Sequence, residues 1–107
     1  MSLFAVNREA GPAWLEGTGA FDQPDVDAHA AFMNGLVQQG LILAAGPLAG
    51  TENGRIRVLL IAEADGETEI VERLAADPWE LTERIKTAKI EQWTLVAGAV
   101  ALPDPTT

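Results

Sequence analysis

Residues 41–63 read LILAAGPLAGTENGRIRVLLIAE, and this stretch decides the fold of the chain. Its first part, residues 41–48, is a continuous apolar run that predicts a buried strand, which Pro47 interrupts or places at a sheet edge. The turn signal Glu52–Asn53–Gly54 follows, and it predicts a hairpin into a second strand over residues 55–63. Apart from its arginines, both faces of this second strand are apolar, so we expect a central strand that is covered on both sides.

A helix is predicted on each side of this hairpin. Upstream, apolar residues recur at the helical period and predict a helix over residues 26–39, with Asp25 or Asp27 as the N-cap and Gly40 as the stop. Downstream, residues 68–76 carry apolar side chains on one face, and the Asp-Pro pair that follows ends the helix. A short helical turn is expected directly after that pair.

Two outer strands complete the pattern. Residues 3–6, running on toward Arg8, predict the first, and residues 85–96 predict the last, with an irregular apolar spacing near its start that indicates a bulge. The element order β-α-β-β-α-β predicts the ferredoxin-like α+β fold, a four-stranded antiparallel sheet with two helices on one face. If Leu59 and Ile61, or the alternate set of Ile56, Val58, Leu60 and Ala62, point to the other face, that face is too apolar for water, so we expect a homodimer with its sheets packed face to face.

The length of 107 residues predicts a single domain. We place this domain at residues 1–98, followed by a C-terminal tail at 99–107 that is expected to fray. Residues 9–24 contain three glycines and two prolines and predict a loop that is long for so small a domain. Long loops in compact domains are often functional, and Trp14 and Phe21 indicate that this one folds back over an apolar surface.

Composition excludes several classes of function. The chain has 16 acidic and 7 basic residues and a net charge of −9, which argues against binding to nucleic acid or to an anionic membrane surface. It has no cysteine and one histidine, so no disulfide, structural zinc site or haem ligation is expected. Ser2 is the only serine, which excludes an ordinary Ser-His-Asp hydrolase. We expect a cytoplasmic protein with no signal peptide, membrane span, metal or cofactor.

His29 is the first candidate for acid–base chemistry. It is the single histidine, and it lies on the side of the predicted helix that should face the sheet. Asp77 is its natural partner, because a carboxylate bonded to one ring nitrogen fixes the tautomer and leaves the other nitrogen as a base. Two alternatives stay open. The pair could be a structural contact that holds the two helices together. Alternatively, Asp77 could simply mark the end of a helix, as an Asp before Pro commonly does.

Other residues are candidates for shaping a substrate pocket. Gly46 and Pro47 are expected to form a pocket wall through their backbone geometry. Aromatic residues near His29 complete a substrate-binding set of Trp14, Phe32 and Trp79, and Trp14 is best placed to stack on a ligand because it lies on a loop. Arg8 could clamp a carboxylate or enolate, with an ion pair to the abundant acidic residues as the alternative.

Five short motifs occur in order along residues 3–98: GPAW at 11–14, HAAFM at 29–33, AGPL at 45–48, AADPW at 75–79 and IEQW at 90–93. Together they resemble the YCII-related (YciI-like) domain family over nearly the whole chain. The resemblance implies a ferredoxin-like fold and a dimeric α+β barrel, similar in architecture to muconolactone isomerases and to small monooxygenases and cyclases. The long N-terminal loop with Trp14 departs from the shortest members, so the roof of the pocket is expected to differ.

The resemblance also implies an active site. In this family a helix histidine and the aspartate of an Asp-Pro pair line a cleft, and they match His29 and Asp77; one relative is a dehydrochlorinase in chloroaromatic breakdown. Our hypothesis is a cofactor-independent isomerase or lyase that transfers a proton on a cyclic or aromatic small molecule. The alternative is a non-catalytic protein that binds a small molecule in the same pocket, or an accessory subunit of a larger enzyme.

Overall fold

The computed structural model describes residues 1–98, and the predicted tail at 99–107 lies outside the described residues. The elements follow the predicted order, including a short helix directly after Asp77, and only a short 3-10 turn is added. They are β1 (Ser2–Ala10), the 3-10 turn (Ala20–Asp22), α1 (Val26–Gln38), β2 (Ile42–Pro47), β3 (Arg57–Ala64), α2 (Glu67–Leu74), α3 (Pro78–Leu81) and β4 (Ile85–Gln92).

The four strands form one antiparallel sheet in the order β2-β3-β1-β4. With α1 joining β1 to β2 and α2 preceding β4, this is the ferredoxin-like fold that the element order predicted. β3 is a central strand, as expected. β2 lies at the edge and ends at Pro47, because proline has no amide hydrogen to continue a ladder.

Three strand boundaries differ from the prediction. β1 continues to Ala10, because it pairs with both neighbours almost to its end. β3 begins only at Arg57, since the loop before it is closed by a hydrogen bond from the Leu48 amide to the Arg57 carbonyl (2.8 Å) and by the Thr51 side chain. β4 ends at Gln92, earlier than its apolar pattern indicated.

The predicted bulge in β4 is confirmed. Asn7 pairs with Lys89 whereas the next residue of β1, Arg8, pairs with Thr87, so β4 has one extra residue at this point. Without it, side chains five positions apart would face opposite sides of the sheet. The bulge therefore lets both Ile85 and Ile90 pack on the side that the helices cover.

The ends of α1 follow the prediction only in part. Gly40 adopts a left-handed conformation (φ 81°) and ends the helix, with the Leu41 amide donating to the Leu36 carbonyl at 3.1 Å. Asp25 occupies the N-cap position, but its side chain makes no capping hydrogen bond. Its backbone is left-handed (φ 62°) rather than extended, so the carboxylate is not directed at the first helical amides.

Helices cover one face of the sheet. One buried cluster joins the sheet to α1 and α2, with Leu60, Leu36 and Leu74 among its members. A second cluster joins the long N-terminal loop to α3 through Trp14 and Trp79. The loop therefore does fold back over an apolar surface, and this second cluster closes one end of the helical layer.

The other face of the sheet has no helix on it. Side chains of β3 alternate between the two faces, so that Leu60 is buried beneath the helices whereas Leu59 is 37% exposed. Ile61 and Ala5, which are paired across β3 and β1, lie on the same open face as Leu59. In the single chain β3 is thus covered on one side only, which departs from the expectation of cover on both sides.

Candidate active site

His29 and Asp77 meet between α1 and the start of α3. The helix directs His29 inward, and the backbone just before Pro78 places the carboxylate beside it. Nδ1 of His29 lies 2.8 Å from Oδ1 and 2.9 Å from Oδ2 of Asp77. The two residues that the sequence suggested as partners are therefore in direct contact.

The Asp77 carboxylate is fully buried and accepts hydrogen bonds from three residues. Besides His29, the Arg8 guanidinium donates to Oδ2 at 2.8 Å and the Trp79 amide donates to Oδ1 at 2.9 Å. The bond from Trp79 is the N-cap of α3. One side chain thus caps the start of α3, joins two elements and orients the histidine.

Arg8 is buried between two carboxylates. On the side opposite Asp77, its second terminal nitrogen donates to Oε2 of Glu80 at 2.8 Å. Arg8 is 2% exposed and sits on the helix-facing side of β1. Its charge is therefore satisfied within the chain, as in the ion-pair alternative, rather than free to clamp a carboxylate of a substrate.

The contact with Asp77 assigns the tautomer of His29. Because both carboxylate oxygens face Nδ1, this nitrogen carries the hydrogen and donates it. In the neutral ring Nε2 then keeps its lone pair, and it can accept a proton. If the ring takes up that proton, the buried carboxylate beside it stabilises the resulting charge.

Trp79 fixes the plane of the histidine ring. The two rings are stacked, with centroids 3.9 Å apart and an interplanar angle of 8°. Trp79 is itself held by a hydrogen bond from Nε1 to the Pro24 carbonyl (2.8 Å) and by an edge-on contact with Trp14. His29 is therefore constrained on one face by an aromatic ring and at Nδ1 by a carboxylate.

A cavity of about 470 Å³ lies beside this arrangement, within the size range of small-molecule sites. His29 lines it, and the remaining wall is mostly apolar. Its main contributors are Val26, Met33 and Val37 from α1, Ala45, Gly46 and Pro47 from β2, and Ala20 and Phe21 from the 3-10 turn. Two of the lining residues, Phe21 and Val37, are exposed.

The structure brings five of the eight sequence-predicted site residues to the cavity wall; they are Arg8, His29, Gly46, Pro47 and Trp79. A sixth, Asp77, is fully buried and contacts His29.

Two candidates that were expected to bind the substrate, Trp14 and Phe32, do not line the cavity. Trp14 is buried against Trp79 and donates from Nε1 to the Gly54 carbonyl at 2.9 Å, so its ring is not available to stack on a ligand. Phe32, three residues after His29 on α1, packs against the helix-covered core and lies beside residues of α2 rather than the cavity.

Five polar or aromatic residues of the site were not predicted as site residues. Asp27, Asn34, Glu52 and Phe21 line the cavity, and Glu80 completes the network around Arg8. Asn34 lies four residues after Ala30, which also lines the cavity, and this helical spacing could have indicated it. Glu52 had no such signal, because its place depends on how the β2–β3 loop folds back against the 3-10 turn.

The pKa of Asp77 lies below its ordinary value of 3.8. Burial alone would raise this pKa, but the hydrogen bond from His29, the positive charge of Arg8 and the Trp79 amide together lower it. Since the folded state favours the ionised carboxylate, Asp77 contributes stability that is present above pH 3.8 and is lost as the pH falls through its lower value in the folded protein.

This predicts an acid-dependent gap between the wild type and Asp77→Asn. In urea unfolding at a series of pH values, the wild type should exceed the variant in free energy of unfolding above pH 3.8, and the gap should narrow as the pH is lowered further. The exposed variant Asp65→Asn controls for the general effect of acid. A gap of constant size across this range would show that the ionisation of Asp77 is not linked to folding.

Residues 1–98 contain no cluster of three or more His, Cys, Asp or Glu side chains that is arranged to hold a metal ion. In the same part of the chain, none of the helices has the length and apolar character needed to cross a bilayer.

Comparison with known proteins identifies one informative structure. No protein-family model and no curated protein matches the chain. Among solved structures, the chain is similar to 5-chloro-2-hydroxyhydroquinone dehydrochlorinase from Burkholderia phenoliruptrix AC1100, determined in complex with 2,5-dihydroxybenzoquinone. The two share 26% sequence identity and a TM-score of 0.61, over 86% of this chain and 93% of the other. This neighbour supports the fold, while membership of the YCII-related family stays a prediction.

Proposed function

We propose that this chain is a cofactor-independent lyase or isomerase in which His29 transfers a proton on a cyclic or aromatic small molecule. The contact of His29 Nδ1 with both oxygens of the buried Asp77 carboxylate carries the proposal. The adjoining cavity of about 470 Å³ supplies space for one ring compound, and its apolar wall suits such a ligand. The likeness to an enzyme that acts on a chlorinated hydroxyhydroquinone supports the same class of substrate.

The proposed step begins at Nε2 of His29. This nitrogen takes a proton from a hydroxyl or an acidic C–H of the ring, and the imidazolium that forms is stabilised by Asp77. In an isomerase the same nitrogen returns the proton to a second atom of the substrate. In a lyase the electron pair instead expels a leaving group such as chloride, and the proton passes to water. Arg8 takes no part in the transfer, and it keeps Asp77 ionised.

Two measurements on the wild-type protein test this proposal. Ring-proton exchange of hydroxylated aromatic compounds in D₂O is followed by NMR, and chloride release is measured with chlorinated hydroquinones. We expect protein-dependent exchange or elimination above the rate in buffer. Binding of these rings without exchange or elimination would contradict catalysis and favour the alternative, a protein that binds the same ligands without turnover.

We also propose that two copies of the chain pack their open sheet faces together. Leu59 and Ile61 project from the central strand on this face, and Ala5 lies beside them on β1. Apolar side chains in the middle of an open face favour a symmetric partner, because the same patch on each copy can cover the other. The residues that line the cavity lie on the helical side of the sheet, away from this open face.

A single charge on this face should separate the copies. Leu59→Lys places two lysines near each other across a two-fold axis, and like charges in an interface cost several kcal/mol. Light scattering after size exclusion should give about twice the chain mass of 11.4 kDa for the wild type and the single mass for the variant. The control is Val71→Lys, which changes another exposed apolar residue, this one on α2. Equal masses for the wild type and Leu59→Lys would contradict this interface.

A further inference from the structure

Glu52 places a carboxylate in the wall of the cavity where no partner meets it. It belongs to the loop between β2 and β3, so it reaches the cavity from a different element than His29 does. Its Oε2 atom is shielded from solvent and makes no hydrogen bond within the described part of the chain. A shielded carboxylate oxygen without a donor is unfavourable. Because the terminal torsion of a glutamate side chain is soft, rotation of the carboxylate can turn this oxygen toward a hydroxyl donor in the cavity.

The backbone around Glu52 is held in place from several sides. Its carbonyl accepts a hydrogen bond from the Ala20 amide at 3.0 Å, which ties the loop to the 3-10 turn. The preceding residue, Thr51, donates from Oγ1 to the Leu48 carbonyl at 2.8 Å. Two residues further on, the Gly54 carbonyl accepts from the Trp14 indole at 2.9 Å. The backbone that carries this carboxylate is therefore held in place, as a recognition group requires.

The charges around the cavity favour a neutral ligand. Arg8 is the only arginine or lysine among the described residues that line it, and its charge is already balanced by Asp77 and Glu80. Asp27 and Glu52 add negative charge to the wall. An anionic ligand would meet two carboxylates and no free arginine or lysine, whereas a neutral hydroxyl could donate to Glu52.

We propose that Glu52 binds a hydroxyl group of the ligand and selects neutral hydroxylated rings over carboxylates. The inference rests on the proposed function for the ring class and adds the second polar contact, so that His29 and Glu52 address different hydroxyl groups of one molecule. It also replaces the interpretation in which Arg8 clamps a substrate carboxylate. The Glu52 carboxylate then favours a ligand that donates a hydroxyl hydrogen, and the negative charge of the wall disfavours a ligand that carries a carboxylate.

A matched pair of ligands tests the proposal by calorimetry near neutral pH. Hydroquinone has a hydroxyl group at each end, and 4-hydroxybenzoate replaces one of them by a carboxylate. The wild type should bind hydroquinone at least about tenfold more tightly than 4-hydroxybenzoate. Glu52→Gln keeps the size of the side chain and removes its charge, and it should bind 4-hydroxybenzoate about tenfold more tightly than the wild type does. Such a gain in affinity cannot come from misfolding.

The control variant is Glu67→Gln, which removes one negative charge from the exposed start of α2. It should keep the wild-type preference for hydroquinone over 4-hydroxybenzoate, which would distinguish the specific effect of Glu52 from a general effect of net charge. Equal affinities of the wild type for the two ligands, or an unchanged preference in Glu52→Gln, would overturn the role of Glu52 and leave the proton-transfer proposal standing. A wild-type protein that binds neither ring would contradict both.

Discussion

Asp77→Ala should lower the free energy of unfolding by about 3–5 kcal/mol, the range for removing one partner of a buried ion pair. The substitution leaves the guanidinium of Arg8, 2% exposed, with only Glu80 as a charged partner. It also removes the N-cap of α3 and the acceptor for His29 Nδ1. Urea unfolding followed by circular dichroism measures the loss.

Glu80→Ala is the matched control for this prediction. Glu80 contacts the same guanidinium at the same distance of 2.8 Å, but its side chain is 26% exposed whereas that of Asp77 is not exposed. Removing Glu80 should therefore cost only about 1 kcal/mol, as for a solvent-screened pair. If the two variants lose equal stability, burial of the Arg8–Asp77 pair is not what makes it important.

His29→Gln should lower the rate of the proposed reaction by about 10²–10⁴-fold, the usual contribution of a general acid or base. Glutamine retains an amide that can donate to Asp77, but it has no basic nitrogen to face the cavity. Asp77 keeps its bonds from Arg8 and the Trp79 amide. The free energy of unfolding should consequently change by no more than about 1.5 kcal/mol.

Asp77→Ala, which lowers stability, and His29→Gln, which lowers the rate, thus separate the two roles of this pair. Rates of ring-proton exchange and chloride release, measured on folded His29→Gln protein, test the catalytic role without interference from unfolding. Ligand affinity measured on the same sample gives a second readout, since a base acts on the rate more than on binding. Retention of wild-type rates by His29→Gln would rule out His29 as the base, whatever the stability data show.

Most of the fold could be predicted from local patterns. The hairpin at residues 41–63, the helical period of α1 and the stop at Gly40 each depend on near neighbours in sequence, and each is present in the structure. The bulge in β4 could also be predicted, because Ile85 and Ile90 cannot otherwise share a face. Boundaries such as the start of β3 depend on loop hydrogen bonds that no pattern encodes.

Only those parts of the site that residue type and local motif indicate could be predicted. His29 and Asp77 stand out as the single histidine and an Asp-Pro pair, and they are in contact. Burial of Arg8 between two carboxylates depends on α3 packing against β1, which the sequence does not show. Trp14 was expected beside the ligand because it lies on a loop, but the loop folds inward and uses this side chain as core.

The several roles of Asp77 limit how this chain can acquire a new substrate. One carboxylate caps a helix, neutralises a buried arginine and orients the histidine, so a change at this position alters folding and chemistry together. The far wall of the cavity has no such coupling, since Pro47 and Phe21 are exposed and lie on an edge strand and a surface turn. Natural divergence or directed evolution should therefore change specificity by substitutions in that wall, while His29 and Asp77 stay unchanged.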